Sequence, residues 1–197
     1  MKNSRLNKLV KISVLSTIAF LLIYFLELPL AAIFPEFLKL DISDVPAIFG
    51  AFVLGPIAGV AIEALKNVLH VIFKPGTMGI GELANFVVGG AFVYAAGAIY
   101  SIKKNRKHAI WGLAAGTIAM AAVAAIGNYY VFLPLYESVL GFKISAVVGM
   151  GRSVNPAITD INSLIILSII PFNLLKGVVI SLITLLSYKK LSPILHK

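Results

Sequence analysis

The sequence predicts an all-α integral membrane protein: six transmembrane helices in one bundle, with both termini cytoplasmic. Three observations predict it. Of 197 residues, 59% are hydrophobic and only 13% charged, about half the charged share of a soluble domain, and the mean hydropathy is +0.97. Four apolar runs each reach the roughly 20 residues that a helix needs to cross hydrocarbon. The basic residues fall into clusters at the ends of those runs rather than along a patch that would suit nucleic acid, although the net charge is +9.

One domain, residues 1–197, accommodates all of this. The chain has no Cys, which excludes disulfides, thiolate metal sites and Cys nucleophiles, and its three His (His70, His108, His196) are too scattered for a metal cluster. No metal and no cofactor are expected. The N-terminal MKNSRLNKLVK is basic and runs into apolar sequence with no small-residue cleavage site, which predicts a retained first helix rather than a removed signal.

The four clear helices are roughly 9–30, 80–101, 109–133 and 163–188. Residues 46–73 are long for one span, short for two, and interrupted by Gly55-Pro56. Charge placement decides the count. Lys2, Arg5, Lys8 and Lys11 flank the first helix; Lys103, Lys104, Arg106 and Lys107 form a second cluster; Lys189, Lys190 and Lys197 form a third. If all three clusters face the cytoplasm, an even number of spans separates each pair. Residues 46–73 must therefore cross twice, as 46–54 and 57–73, with Pro56 opening the second of the two. The 46–54 helix would rise only about 14 Å, so its neighbours must shelter it. Residues 31–45 become a loop on the outer face. The eight acidic residues all fall in predicted outer loops, near outer helix ends or within one helix, and none lies in a basic cluster.

Four polar constellations interrupt the apolar helices. Glu63, Lys66, Asn67 and His70 form one stripe along the third helix, as i, i+3, i+4 and i+7 require. Glu82 and Asn85 open the fourth helix, ahead of Gly89-Gly90. Asn128-Tyr129-Tyr130 lies near the outer end of the fifth, and Asn173 and Lys176 share a face of the sixth beside Gly177. Structural readings stand beside functional ones for the first three. Glu63 and Lys66 can neutralise each other while Asn67 bonds a neighbouring helix. Glu82 suits a helix N-terminus, Asp44 suits an N-cap, and Asn128 can bridge two helices as well as it can touch a ligand.

Lys176 demands more. A cation at mid-helix costs about 3 kcal/mol on insertion scales and must face the bundle interior or a wet cavity. No acidic residue lies within a turn of it on its own helix, so its partner is another helix, an outer loop or a ligand. An Asn amide reads a cyclic imide or amide edge with one donor and one acceptor, and a Lys donates to carbonyl or ring-nitrogen acceptors. Tyr129, Tyr130, Phe132, Tyr136 and Phe172 offer flat faces, and no Arg cluster or glycine nest suits a phosphate. The combination points to a neutral heterocycle bound from outside.

The stretches LKLDISDVPAIFGAFVLGPIAGVAIEALKN, GELANFVVGG, GNYYVFLPLY and IIPFNLLKGVVIS resemble the RibU family, the riboflavin-specific substrate-binding (S) components of energy-coupling factor (ECF) vitamin transporters. The likeness runs over roughly residues 10–190, and NYYVFLPLY and PFNLLKG are its more specific parts. It implies a six-helix bundle in the bacterial plasma membrane that captures riboflavin from outside. Carried over residue by residue, it implies that Asn128, Asn173 and Lys176 hydrogen-bond the flavin. It also implies that the loop Lys39-Leu40-Asp41-Ile42-Ser43-Asp44 lids the site, with Asp44 reaching the ligand, and that Asn85 and Gly89 face the cavity. The partners it implies are a transmembrane coupling subunit and two cytosolic ATPases. The chain itself carries no GxxxxGK[ST] phosphate loop and is expected not to be an enzyme. The coupling subunit would dock on the first helix at Ser13 and Thr17, with Ala19 nearby; alternatively Ser13 and Thr17 bond their own backbone. Other readings are an S component for another heterocyclic vitamin, a stand-alone facilitator, or a small membrane enzyme. For the last, the only acid–base couple is His70 with Glu63, two helical turns apart.

Overall fold

A computed structural model describes residues 2–195, and for residues 2–4 and 189–195 the backbone alone. The side chains of Lys2, Lys189 and Lys190, and the whole of His196 and Lys197, therefore lie outside the described residues.

Helix α1 (Lys2–Leu26) ends earlier than the predicted 30. Pro29 cannot donate to a helical ladder and disfavours helix at the residue before it. Instead β1 (Leu28–Pro29) pairs antiparallel with β2 (Lys39–Leu40), Leu28 opposite Leu40 and Pro29 opposite Lys39. The predicted outer loop is thus a structured hairpin, the one β element among the described residues. Its tip turns Phe34 and Leu38 inward, and the Phe34 ring meets Phe172 edge-on at 5.4 Å.

Helix α2 (Asp44–Leu54) has 11 residues and rises about 16 Å. It packs against α1, α3, α4 and α9, and its first nine residues are buried, so the sheltering that a short span requires is present. The chain reverses at Gly55, whose φ of +100° is open to glycine and costly for a residue with a Cβ. Pro56 then opens α3 (Pro56–Phe73). Helix α4 (Ile80–Ile102) matches its prediction closely. It lies against α5 (Arg106–Gly127), which Asn105 caps by accepting from the His108 N–H. The two backbones come so near that a Cβ at Gly112 would stand 2.6 Å from the Ala96 carbonyl oxygen, the small-residue contact by which membrane helices pack.

Beyond α5 the helix continues through a π turn (Asn128–Phe132) into α6 (Leu133–Leu140), a 35-residue rod over Arg106–Leu140 instead of the predicted 109–133. Helix α7 (Ile144–Val154) was not expected. It turns Val147, Val148 and Gly151 inward from a segment too polar to read as a span. A capping box between Asp160 and Ser163 starts α8 (Ile161–Leu164). A second π turn (Ile165–Ile169) joins it to α9 (Ile170–Leu195). Each π turn is followed at the second residue by a proline, Pro134 or Pro171. Proline lacks the N–H and collides with the carbonyl four residues back, and a widened turn relieves both faults.

Among the described residues five helices are long and apolar enough to cross a membrane, and α2 and α7 are shorter apolar helices beside them. Their outer faces carry large apolar side chains, among them Leu9, Phe25, Ile118, Trp111 and Leu186. The interior holds the polar groups, as a lipid-solvated bundle requires.

Candidate functional site

At the hairpin end of the bundle lies an open cavity of about 340 Å³. Phe37, Leu38 and Lys39 of the hairpin wall it on one side, and Phe142 and Val147 on another. Its floor is made by α4, by the π turn after α5, and by α9, which contribute Asn85, Asn128, Phe172, Asn173 and Lys176.

Both proline-associated π turns meet here, and they set the two asparagines in equivalent poses. Asn128 Nδ2 donates to the Ala124 carbonyl and Asn173 Nδ2 to the Ile169 carbonyl, each 2.8 Å away and one turn back. Each amide keeps one N–H and its oxygen for other partners. The pair therefore presents a donor and an acceptor twice on one wall, with the Phe172 ring beside them.

Lys176 is 5% exposed. It donates to Asp41 Oδ2 at 2.7 Å and to Asn85 Oδ1 at 3.5 Å, and stands 3.6 Å from Asp44 Oδ2. Of the partners open to it from sequence, it takes both the loop ahead of α2, through Asp41, and neighbouring helices, through Asn85 of α4 and Asp44 of α2, while its amine still lines the cavity. Asp41, just before α2, is also held by the backbone and hydroxyl of Ser43. Burial alone would push the Asp41 carboxyl up. The Lys176 and Lys66 ammoniums outweigh it and hold the group well below the usual carboxylate range.

At the cavity rim Glu27 Oε2 accepts from two lysines, Lys39 at 3.1 Å and Lys74 at 2.9 Å. This carboxylate ties α1, the hairpin and the segment after α3 together. Partial burial raises the Glu27 pKa, but the hydrogen bonds from Lys74 and Lys39 outweigh that and keep it below the ordinary value. Nearby His70 Nδ1 meets Glu82 Oε1 at 3.0 Å, and Thr77 donates to Glu82 Oε2 at 2.8 Å.

Of the residues singled out in the sequence, the structure brings Lys39, Asn85, Asn128, Asn173 and Lys176 to one cavity. Leu40, Asp44 and Gly89 do not line it. Asp44 is also not an N-cap: Ser43 occupies that position, and Asp44 accepts from Lys66 Nζ at 2.5 Å instead. Gly89 faces the same buried carboxylates, for a Cβ there would stand 2.9 Å from Glu63 Oε2 and 3.4 Å from Asp44 Oδ1. The Glu63–Lys66 contact forms at 2.7 Å, while Asn67 donates to the Glu63 carbonyl of its own helix rather than to a neighbour. His70 pairs with Glu82, not with Glu63. Ser13 and Thr17 are exposed on α1, with Ala19 buried behind them, and Thr17 bonds the Ser13 carbonyl at 3.0 Å.

Glu27, Lys74, Thr77 and Phe142 line the cavity without a sequence signal of their own; of the aromatics offered as flat faces, Tyr136 and Phe172 line it, and Tyr129, Tyr130 and Phe132 do not. The two prolines did carry one, because a proline within an apolar helix predicts a local widening at which side chains are re-aimed.

An apolar helical bundle with this cavity at one end defines a class: membrane-embedded proteins with a binding site for a small organic molecule. The comparisons refine it. Residues 7–188 match the family described as ECF transporter, substrate-specific component. The chain is 39% identical over 196 residues to the riboflavin transporter RibU of Staphylococcus aureus (strain TCH60), covering 99% of this chain and 96% of that one. It is 36% identical over 193 residues to the riboflavin transporter FmnP of Bacillus subtilis (strain 168), covering 96% and 94%. A solved structure, described as the S component of a bacterial ECF transporter, superimposes with a TM-score of 0.75 at 37% identity, covering 98% of this chain and 99% of that one. The chain belongs to the family of substrate-specific components of ECF transporters. It is a multi-pass protein of the bacterial plasma membrane with a transport role rather than an enzymatic one.

Proposed function

We propose that this chain binds riboflavin from the outer side of the membrane and presents it for uptake driven by ATP-hydrolysing partner subunits. The observation that carries the reading is the shared wall of Asn128, Asn173 and Lys176. A flavin ring offers two carbonyls, an imide N–H and ring nitrogens along one edge, and two amides plus an ammonium match that edge. Phe172 supplies an apolar surface for the flat ring. The cavity, about 340 Å³, lies near the lower end of the roughly 300–1,000 Å³ seen for small-ligand sites, which suits one vitamin rather than a nucleotide pair. The two comparison transporters are named for riboflavin.

In this account the hairpin (residues 28–40) closes over the bound vitamin, held by Glu27 through Lys39. A transmembrane coupling subunit docks on α1 at the exposed Ser13 and Thr17, whose small side chains admit a close helix crossing. Two cytosolic ATPases supply the energy, the termini face the cytoplasm, and the binder tips in the membrane to release its load. Uptake of labelled riboflavin by cells tests this. Uptake should depend on this chain and on active ATPase partners, and unlabelled riboflavin should compete. Uptake that persists without ATPase partners would identify a stand-alone facilitator instead.

A further inference from the structure

From the cavity wall inward, where Asp41 and Lys176 line the cavity and Asp44, Glu63 and Lys66 lie behind them, five charged groups meet. Asp41, Asp44, Glu63, Lys66 and Lys176 are each no more than 5% exposed. The ammoniums pair one to one with the aspartates: Lys66 with Asp44 at 2.5 Å, and Lys176 with Asp41 at 2.7 Å. Glu63 is left over. Lys66 Nζ also stands 2.7 Å from its Oε2, so Glu63 and Asp44 share one ammonium, and among the described residues Glu63 Oε1 has no donor. Fully ionised, the cluster would hold three carboxylates against two ammoniums inside an apolar bundle, and an unpaired buried charge is among the costliest things a membrane interior can hold.

Among the described residues no other side chain brings the missing positive charge. Helix α1 carries no Lys, Arg, Asp or Glu between Lys11 and Glu27, and the rod of α5 and α6 carries none between Lys107 and Glu137. His70, one turn beyond Lys66, is committed to Glu82. Helix α4 offers Asn85, an acceptor for Lys176, and Gly89, where a Cβ would stand 2.9 Å from Glu63 Oε2, and among the described residues no group of His, Asp and Glu is placed to hold a metal ion. Among the described residues Asp44 Oδ2 and Asn67 Oδ1, also buried, lack a donor too.

We propose that Glu63 is a proton-binding site in the bundle core: its carboxyl binds a proton from the aqueous phase and sits there as a neutral acid. One proton balances the cluster and turns an acceptor without a donor into an O–H. Asp44, whose Oδ1 accepts from the same Lys66, is the carboxylate whose repulsion that proton removes. Each lysine then keeps its own aspartate, and the cluster as a whole carries no net charge.

Infrared spectroscopy of the purified full chain near neutral pH reads the proton directly and needs no ligand. The protein should show a protonated-carboxyl C=O stretch that moves in heavy water. The band should shift when glutamate carrying heavy carbon in its carboxyl is incorporated, and vanish in Glu63→Gln. Glu63→Gln should also keep riboflavin affinity within about twofold. Absence of the band in the unaltered protein, failure to shift with labelled glutamate, or survival in a folded Glu63→Gln protein overturns the proposal. So would a band that sodium ions abolish, because a cation would then be the species that balances the charge.

Discussion

Lys176 Nζ and Asp41 Oδ2 lie 2.7 Å apart, although 135 positions separate them in sequence. The pair fastens α9 to the segment between the hairpin and α2, and does so at the cavity wall. A residue that contacts the ligand in the proposed function is thereby also what locates the lid.

Replacing Lys176 with Met should weaken riboflavin binding by tenfold or more. A hydrogen bond from a charged donor is worth about 1.5–3 kcal/mol, and each 1.4 kcal/mol is about tenfold. Calorimetric or fluorescence titration of the purified variant checks this, and unchanged affinity removes Lys176 from the site.

Asp41→Asn should lower stability at neutral pH, and the deficit should disappear in acid. The Asp41 carboxyl is held below the ordinary range in the folded protein. Its stabilisation is therefore complete above the unfolded value of about 3.9 and is lost as pH falls from there through the folded value. Thermal unfolding in detergent from neutral pH to below 4 should show the two proteins converging only at the acid end. A difference independent of pH contradicts the ion-pair role.

Glu27→Gln should leave the fold intact and loosen the rim. Lys39 and Lys74 are 43% and 44% exposed, and such surface pairs contribute at most about 1 kcal/mol. Stability should therefore change little, while riboflavin dissociates a few-fold faster. Raising the salt concentration should speed release from the unaltered protein and narrow the gap to the variant. Stopped-flow displacement measures both, and equal rates at low salt would detach the rim carboxylate from lid function.

A Trp at Ser13 or Thr17 should abolish uptake while purified protein still binds the vitamin. Both positions face outward on α1, so a bulky ring blocks helix–helix approach without disturbing the bundle. Retained uptake would place the docking face elsewhere.

Much of this architecture could be read from the chain because hydrocarbon allows so few solutions. Apolar run length and the spacing of basic clusters located α1, α4, α5 and α9 and required the split at Gly55-Pro56. The burial cost of Asn173 and Lys176 located the cavity wall. Other features rest on distant encounters that no local pattern records. The Lys176–Asp41 pair and the three-way contact at Glu27 join segments far apart in sequence, and Glu82 reached His70 only once α3 and α4 had packed. Helix α7 was missed because its polar residues and short length suit neither a span nor a loop. Asp44 was misread as a cap because its Lys66 partner lies 22 positions away.

The most direct measurement is an equilibrium titration of riboflavin fluorescence with the purified, ligand-free protein. Quenching should saturate at one flavin per chain. Flavin emission that stays unchanged at stoichiometric and excess protein would contradict the assignment of this cavity to riboflavin.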